Sequence, residues 1–90
     1  MQTLVISGGS SGIGKATASL FAERGWCVFE LSRHGVSVTG EGLPVTGKII
    51  HIFCDVCSEE STRAAIAEVL KQTDHIDVVI SNAGYGISGS

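Results

Sequence analysis

Apolar residues in this chain come as short unbroken runs, separated by stretches with helical spacing. Leu4-Val5-Ile6 is a continuous apolar run ended by glycines, which predicts a buried parallel strand. From Ile13 to Arg24 the period changes, and Ile13, Ala16, Leu20 and Phe21 fall on one helical face while Lys15, Ser19 and Glu23 fall elsewhere. Gly25 sits where a helix C-cap glycine belongs. Trp26 to Leu31 is apolar and β-prone apart from Glu30, and predicts a second strand. His34 to Gly47 has no clear period and contains Gly35, Gly40, Gly42 and Pro44, so it reads as a loop with room for a short hairpin. Ile49 to Phe53 predicts a third strand. Ser58 then makes an N-cap, Glu59 and Glu60 suit the positive end of a helix dipole, and Lys71 falls in the last turn. The buried face of that helix is expected to be Ala65, Ile66, Val69 and Leu70. Ile76 to Ile80 is a fourth strand, and the residues from Gly84 onward have loop composition.

Strands alternating with helices imply an α/β fold with a parallel sheet and right-handed crossovers. A parallel sheet needs helices on both faces, and two helices for four strands leave the C-terminal side unfinished. The fourth strand would then be an apolar edge inviting association, so a homo-oligomer is expected. The hydrophobic content of 43% supports a core, and 90 residues fit one domain. A net charge of −3 argues against nucleic acid and anionic membranes as partners. No apolar run approaches a membrane span, and the N-terminus lacks the basic region of a signal peptide. A cytoplasmic protein with reduced Cys27, Cys54 and Cys57 is the expectation.

The chemistry concentrates in Ser7-Gly8-Gly9-Ser10-Ser11-Gly12-Ile13-Gly14, between the first strand and the first helix. Glycines let backbone turn tightly and approach phosphate oxygens, and the following helix start offers free N–H groups to an anion. In this context the segment reads as the pyrophosphate turn of a dinucleotide site. A P-loop is the rival, because Gly9 to Lys15 fits G-x-x-x-x-G-K. Ala16 follows where that motif needs a Mg²⁺-binding hydroxyl, although Asp55 could stand in for a Walker B aspartate.

The spacing Gly8-x-x-x-Gly12-Ile13-Gly14 resembles the T-G-x-x-x-G-I-G signature of the short-chain dehydrogenase/reductase family, with Ser7 in place of threonine. Asp55-Val56 after the third strand matches that family's adenine-contacting positions, and Ser81-Asn82-Ala83-Gly84 is similar to its N-N-A-G motif. The resemblance implies a Rossmann-type sheet in strand order 3-2-1-4, residues 1–90 forming a single, partial dinucleotide-binding domain. It implies cofactor contacts from Gly8, Ser10, Ser11, Gly12, Ile13 and Gly14, from Asp55 and Val56, and from Asn82, Ala83 and Gly84. Asp55 would accept from the adenine amino group, or else only cap the following turn. Asn82 would tie the fourth strand to its neighbours, or else be a turn residue.

The end of the second strand selects the nucleotide. An acidic residue there bonds the ribose 2′-OH of NAD, whereas arginine accommodates the 2′-phosphate of NADP. Here Ser32 and Arg33 occupy these positions, so NADP is favoured over NAD, with Ser32 donating to the phosphate and Arg33 forking onto it. Glu30 complicates the reading, being acidic and one strand repeat behind Ser32. The alternative for Arg33 is a solvated surface charge.

Cys54 and Cys57 fit C-x-x-C, but no second pair exists for zinc, so no metal site is assigned. His34 and His75 read as surface residues without partners. In the resembled family, hydride transfer between NADPH and a carbonyl or alcohol uses serine, tyrosine and a lysine in Y-x-x-x-K. Tyr85 is the one tyrosine here and no lysine follows Lys71, so no catalytic residue is assigned. The chain therefore reads as the cofactor half of an oxidoreductase acting on a small carbonyl or alcohol. The alternatives are a dinucleotide-binding module or redox sensor without catalysis and, more remotely, a P-loop NTPase.

Overall fold

A computed structural model describes residues 2–8, 12–40, 43, 44 and 46–81. The elements run β1 (Thr3–Ser7), α1 (Gly12–Glu23), β2 (Cys27–Ser32), β3 (Val38–Thr39), β4 (Lys48–Phe53), α2 (Glu59–Gln72) and β5 (Val78–Ser81). They form one sheet in the order β3-β4-β2-β1-β5. The expected order 3-2-1-4 survives as β4-β2-β1-β5, all parallel, and β3 adds an antiparallel edge opposite Ile49 and Lys48. That two-residue strand lies in the glycine-rich stretch and is exposed, so no hydrophobic pattern marks it.

Side chains alternate across β2. Cys27, Phe29 and Leu31 join Val5, Cys54, Ala65 and Val69 in the core beneath α2. Val28 joins Leu4, Ile6, Ala18, Ala22 and Ile49 beneath α1. Strands buried on both faces explain why their sequence reads as unbroken apolar runs rather than as alternation.

α1 meets the sheet on a face other than the expected one, and α2 departs from expectation at one residue. In α1 the buried residues are Gly14, Ala18 and Ala22, whereas Ile13 is 78% exposed and Ala16 and Leu20 are also exposed. Only Phe21 of the expected face packs inward, edge-on to Trp26 with ring centroids 4.9 Å apart. A row of small residues four apart lets the helix axis approach the strands closely, and the bulky residues then stand away from the seam. In α2, Ala65, Ile66 and Val69 pack on the sheet as expected, but Leu70 is 54% exposed. Gly25, at φ 90, ends α1 as anticipated, and Ser58 caps α2 by accepting from the Ser61 amide at 3.1 Å.

The connector into β5 is more ordered than its composition suggests. Asp77 Oδ2 accepts from the Thr3 amide at 2.8 Å, and the Asp77 amide donates to the Thr3 carbonyl at 2.9 Å. This use of Asp77 explains why the fourth strand begins at Val78 rather than Ile76. His75, expected to stand without partners, bridges Asp74 (2.8 Å) and Asp77 (3.2 Å). Its hydrogen bond is the main cause holding the Asp74 carboxyl below the usual range.

Candidate functional site

Parallel pairing places the C-terminal ends of the strands along one edge. Ser7 lies opposite Leu31 and Ser81, and Ser32 lies opposite Phe53. Hydrogen bonds continue past the strand ends, from the Gly8 amide to the Leu31 carbonyl (3.0 Å) and from the Cys54 amide to the Ser32 carbonyl (3.0 Å). Ser7-Gly8, Ser32-Arg33 and Asp55-Val56 are therefore brought to the same edge. Strand order changes direction on either side of β1, where α1 and α2 lie on opposite faces, and such a point leaves a crevice beyond the strand ends.

Gly8 and Gly12 have φ of 76° and 61°, conformations that side-chain-bearing residues rarely adopt. A Cβ at Gly12 would meet nothing within 4 Å, so conformation rather than space calls for glycine there. Gly12, Ile13 and Gly14 form the first turn of α1, which carries no acidic residue. Its free N–H groups and dipole are thus not neutralised by a carboxylate from that turn. Ala16 is exposed and brings no hydroxyl to the turn.

At the end of β2, Ser32 is half-buried and Arg33 is exposed, with no ion pair among the described residues. The Ser32 hydroxyl donates to the His34 carbonyl at 2.7 Å, so its one proton staples the turn, leaving Arg33 as the group free to meet an anion. Asp55 is half-buried. Its Oδ1 accepts from the Cys57 amide at 3.0 Å and its amide donates to Ser61 Oγ at 2.9 Å, so the turn-capping role weighed for it is present. Val56 is 41% exposed beside it. A cleft of about 250 Å³ opens here between the sheet and α2, with Ser7, Leu31, Cys54, Val56 and Ser81 in its wall. Ser10, Ser11, Asn82, Ala83, Gly84 and Tyr85 lie outside the described residues.

Of the cysteines, Cys54 stands in the wall of this cleft. Cys27 and Cys54 are buried free thiols, and Cys57 is exposed. Burial pushes the Cys27 thiol up, against a smaller opposing effect of Lys48, which makes it a poor nucleophile.

Glu30 is the residue whose setting the sequence conceals. It is 2% exposed, and its Oε1 lies 2.8 Å from His51 Nδ1, while Oε2 is buried with no hydrogen-bond partner among the described residues. A buried unpaired acceptor costs about 1–3 kcal/mol. Register makes the pair, since Glu30 stands opposite His51 across β2 and β4. Two polar residues inside apolar strands were the available signal, because buried charge requires a partner.

A family model described as short chain dehydrogenase matches residues 2–90. The chain is 36% identical over 89 residues to 3-ketodihydrosphingosine reductase of Bacteroides thetaiotaomicron, an alignment spanning 99% of this chain and 30% of that protein. Its fold is similar to ligand-free aldohexose dehydrogenase of Thermoplasma acidophilum, with a TM-score of 0.78, 30% identity, and coverage of 99% of this chain and 32% of that one. It is also similar to an NADH-dependent reductase complexed with NAD, with a TM-score of 0.75, 26% identity, and coverage of 93% and 36%. The chain belongs to the short-chain dehydrogenase/reductase family, and its sheet is of the Rossmann type. It spans about a third of the length of the relatives it matches. With the family shown, the P-loop alternative drops out.

Proposed function

We propose that this chain binds NADP(H) and supplies the cofactor site of an oxidoreductase that interconverts a small carbonyl compound and its alcohol. The cofactor supplies the hydride. The residues described here bind and orient it. The α1 start and its glycines receive the pyrophosphate, Arg33 forks onto the 2′-phosphate, and Asp55, whose Oδ1 is occupied by the turn, offers Oδ2 to the adenine amino group. Val56 covers the adenine, Asn82, Ala83 and Gly84 are further contacts of the cofactor, and association into a homo-oligomer is part of the same reading.

The observation that carries NADP is the fate of the two charged groups near the ribose position. Glu30, the acid that would favour NAD, is buried and held by His51, whereas Arg33 is exposed and has no ion pair among the described residues. NAD is the second reading, supported by the NAD complex of the NADH-dependent reductase.

Arg33→Ala tests the choice. Losing a charge-assisted contact of about 1.5–3 kcal/mol should weaken NADP⁺ binding roughly 10- to 100-fold in calorimetry and leave NAD⁺ nearly unchanged. Equal losses for both nucleotides would contradict the assignment.

A further inference from the structure

The Glu30–His51 pair joins β2 to β4, and the proposed cofactor contacts make no use of it. An apolar pair of similar volume would fill the same space without desolvating a carboxylate. What rests on the pair is the segment that carries Arg33. A Cβ placed on Gly35 would lie 2.6 Å from Glu30 Oε1 and 2.8 Å from His51 Nδ1, so the backbone at Gly35 sits directly against both groups. Two residues on, Ser37 Oγ accepts from the His51 amide at 2.9 Å. Val38 then enters the sheet opposite Ile49. On the other side of Arg33, Ser32 ends β2 and staples the turn through the His34 carbonyl. Arg33 is thus suspended between a strand end and a backbone stretch seated on a buried polar pair.

We propose that Glu30, His51 and Gly35 act as a positioning unit for Arg33, fixing where its guanidinium meets the 2′-phosphate and so setting the preference between the two nucleotides. This inference rests on the NADP reading. The pair offers a flat polar floor at a height that glycine alone fits. It also turns the one acid near the ribose away from the phosphate, with Oε1 engaged by the imidazole. Neither Glu30 nor His51 touches the nucleotide in this scheme, because both act through the backbone they support.

The test compares affinities of the full chain for NADP⁺ and NAD⁺ by calorimetry, with a thermal melt on each variant. Gly35→Ala should cut the NADP⁺/NAD⁺ ratio about tenfold by lifting the segment, with NAD⁺ affinity nearly unchanged. Glu30→Ala should do the same by removing the floor, whereas Glu30→Gln keeps the shape and an acceptor for Nδ1 and should hold the ratio within about twofold. Ser37 is exposed, so Ser37→Ala is expected to fold, and it should lower the ratio about threefold. An unchanged ratio in folded Gly35→Ala or Ser37→Ala, with Arg33→Ala erasing it, overturns the positioning unit. A ratio unaffected by Arg33→Ala overturns the NADP reading and the unit with it.

Discussion

The two helices begin in opposite ways. α2 supplies its own first turn with partners: Ser58 accepts from the Ser61 amide, and Glu59 and Glu60 place negative charge at the positive end of the dipole. Asp55 and Ser61 tie the approach to it from the other side. α1 begins with Gly12, Ile13, Gly14 and Lys15, with no acid in its first turn. One helix start is closed by its own side chains, and the other has no acidic residue in its first turn, which is where the proposed dinucleotide would place its pyrophosphate. The first arrangement contributes to stability, and the second withholds some of it in favour of binding.

Converting the second kind of start into the first should give the largest effect. Ile13 is 78% exposed, so Ile13→Glu will not disturb the core. The new carboxylate should raise stability by about 0.3–1 kcal/mol and weaken dinucleotide binding more than tenfold, since it occupies the field meant for pyrophosphate. Opposite signs in a melt and a titration are the expected result, and equal signs would break the comparison. Opening the closed start is the next test. Ser58→Ala should cost about 1 kcal/mol in denaturant unfolding with no change in cofactor affinity. The smallest effect is expected from Glu59→Gln or Glu60→Gln made singly, roughly 0.3–1 kcal/mol for the one charge removed near the dipole and less at high salt. Glu59 also loses its exposed pair with Arg63, which adds little.

The contrast was legible in the residues themselves, because capping chemistry is local: Ser58-Glu59-Glu60 names its helix start as plainly as Gly12-Ile13-Gly14 names the other. The parallel sheet was legible from four apolar runs joined by helical stretches, and its order followed from the family resemblance. The buried face of α2 was legible apart from Leu70, and that of α1 was not. Hydrophobicity selected Ile13, Ala16 and Leu20 for α1, whereas the fold uses Gly14, Ala18 and Ala22, because closeness of approach depends on size as well as polarity. The Glu30–His51 pair was hidden because it exists only once the register of β2 against β4 is set. The same holds for His75, whose bridge to Asp77 depends on the turn into β5. Ser32 was expected to donate to a phosphate, but its staple to the His34 carbonyl is a matter of turn geometry that composition does not reveal.

The central claim is that the α1 start and Arg33 hold a dinucleotide while the α2 start does not. Amide NMR shifts of the ¹⁵N-labelled full chain, followed during titration with NADP⁺, test it most directly. The account predicts large shifts at Gly8, Gly12, Ile13, Gly14 and Arg33, with Glu59, Glu60 and Ser61 unmoved. Shifts concentrated at the α2 start, with the glycine turn and Arg33 unmoved, would contradict it.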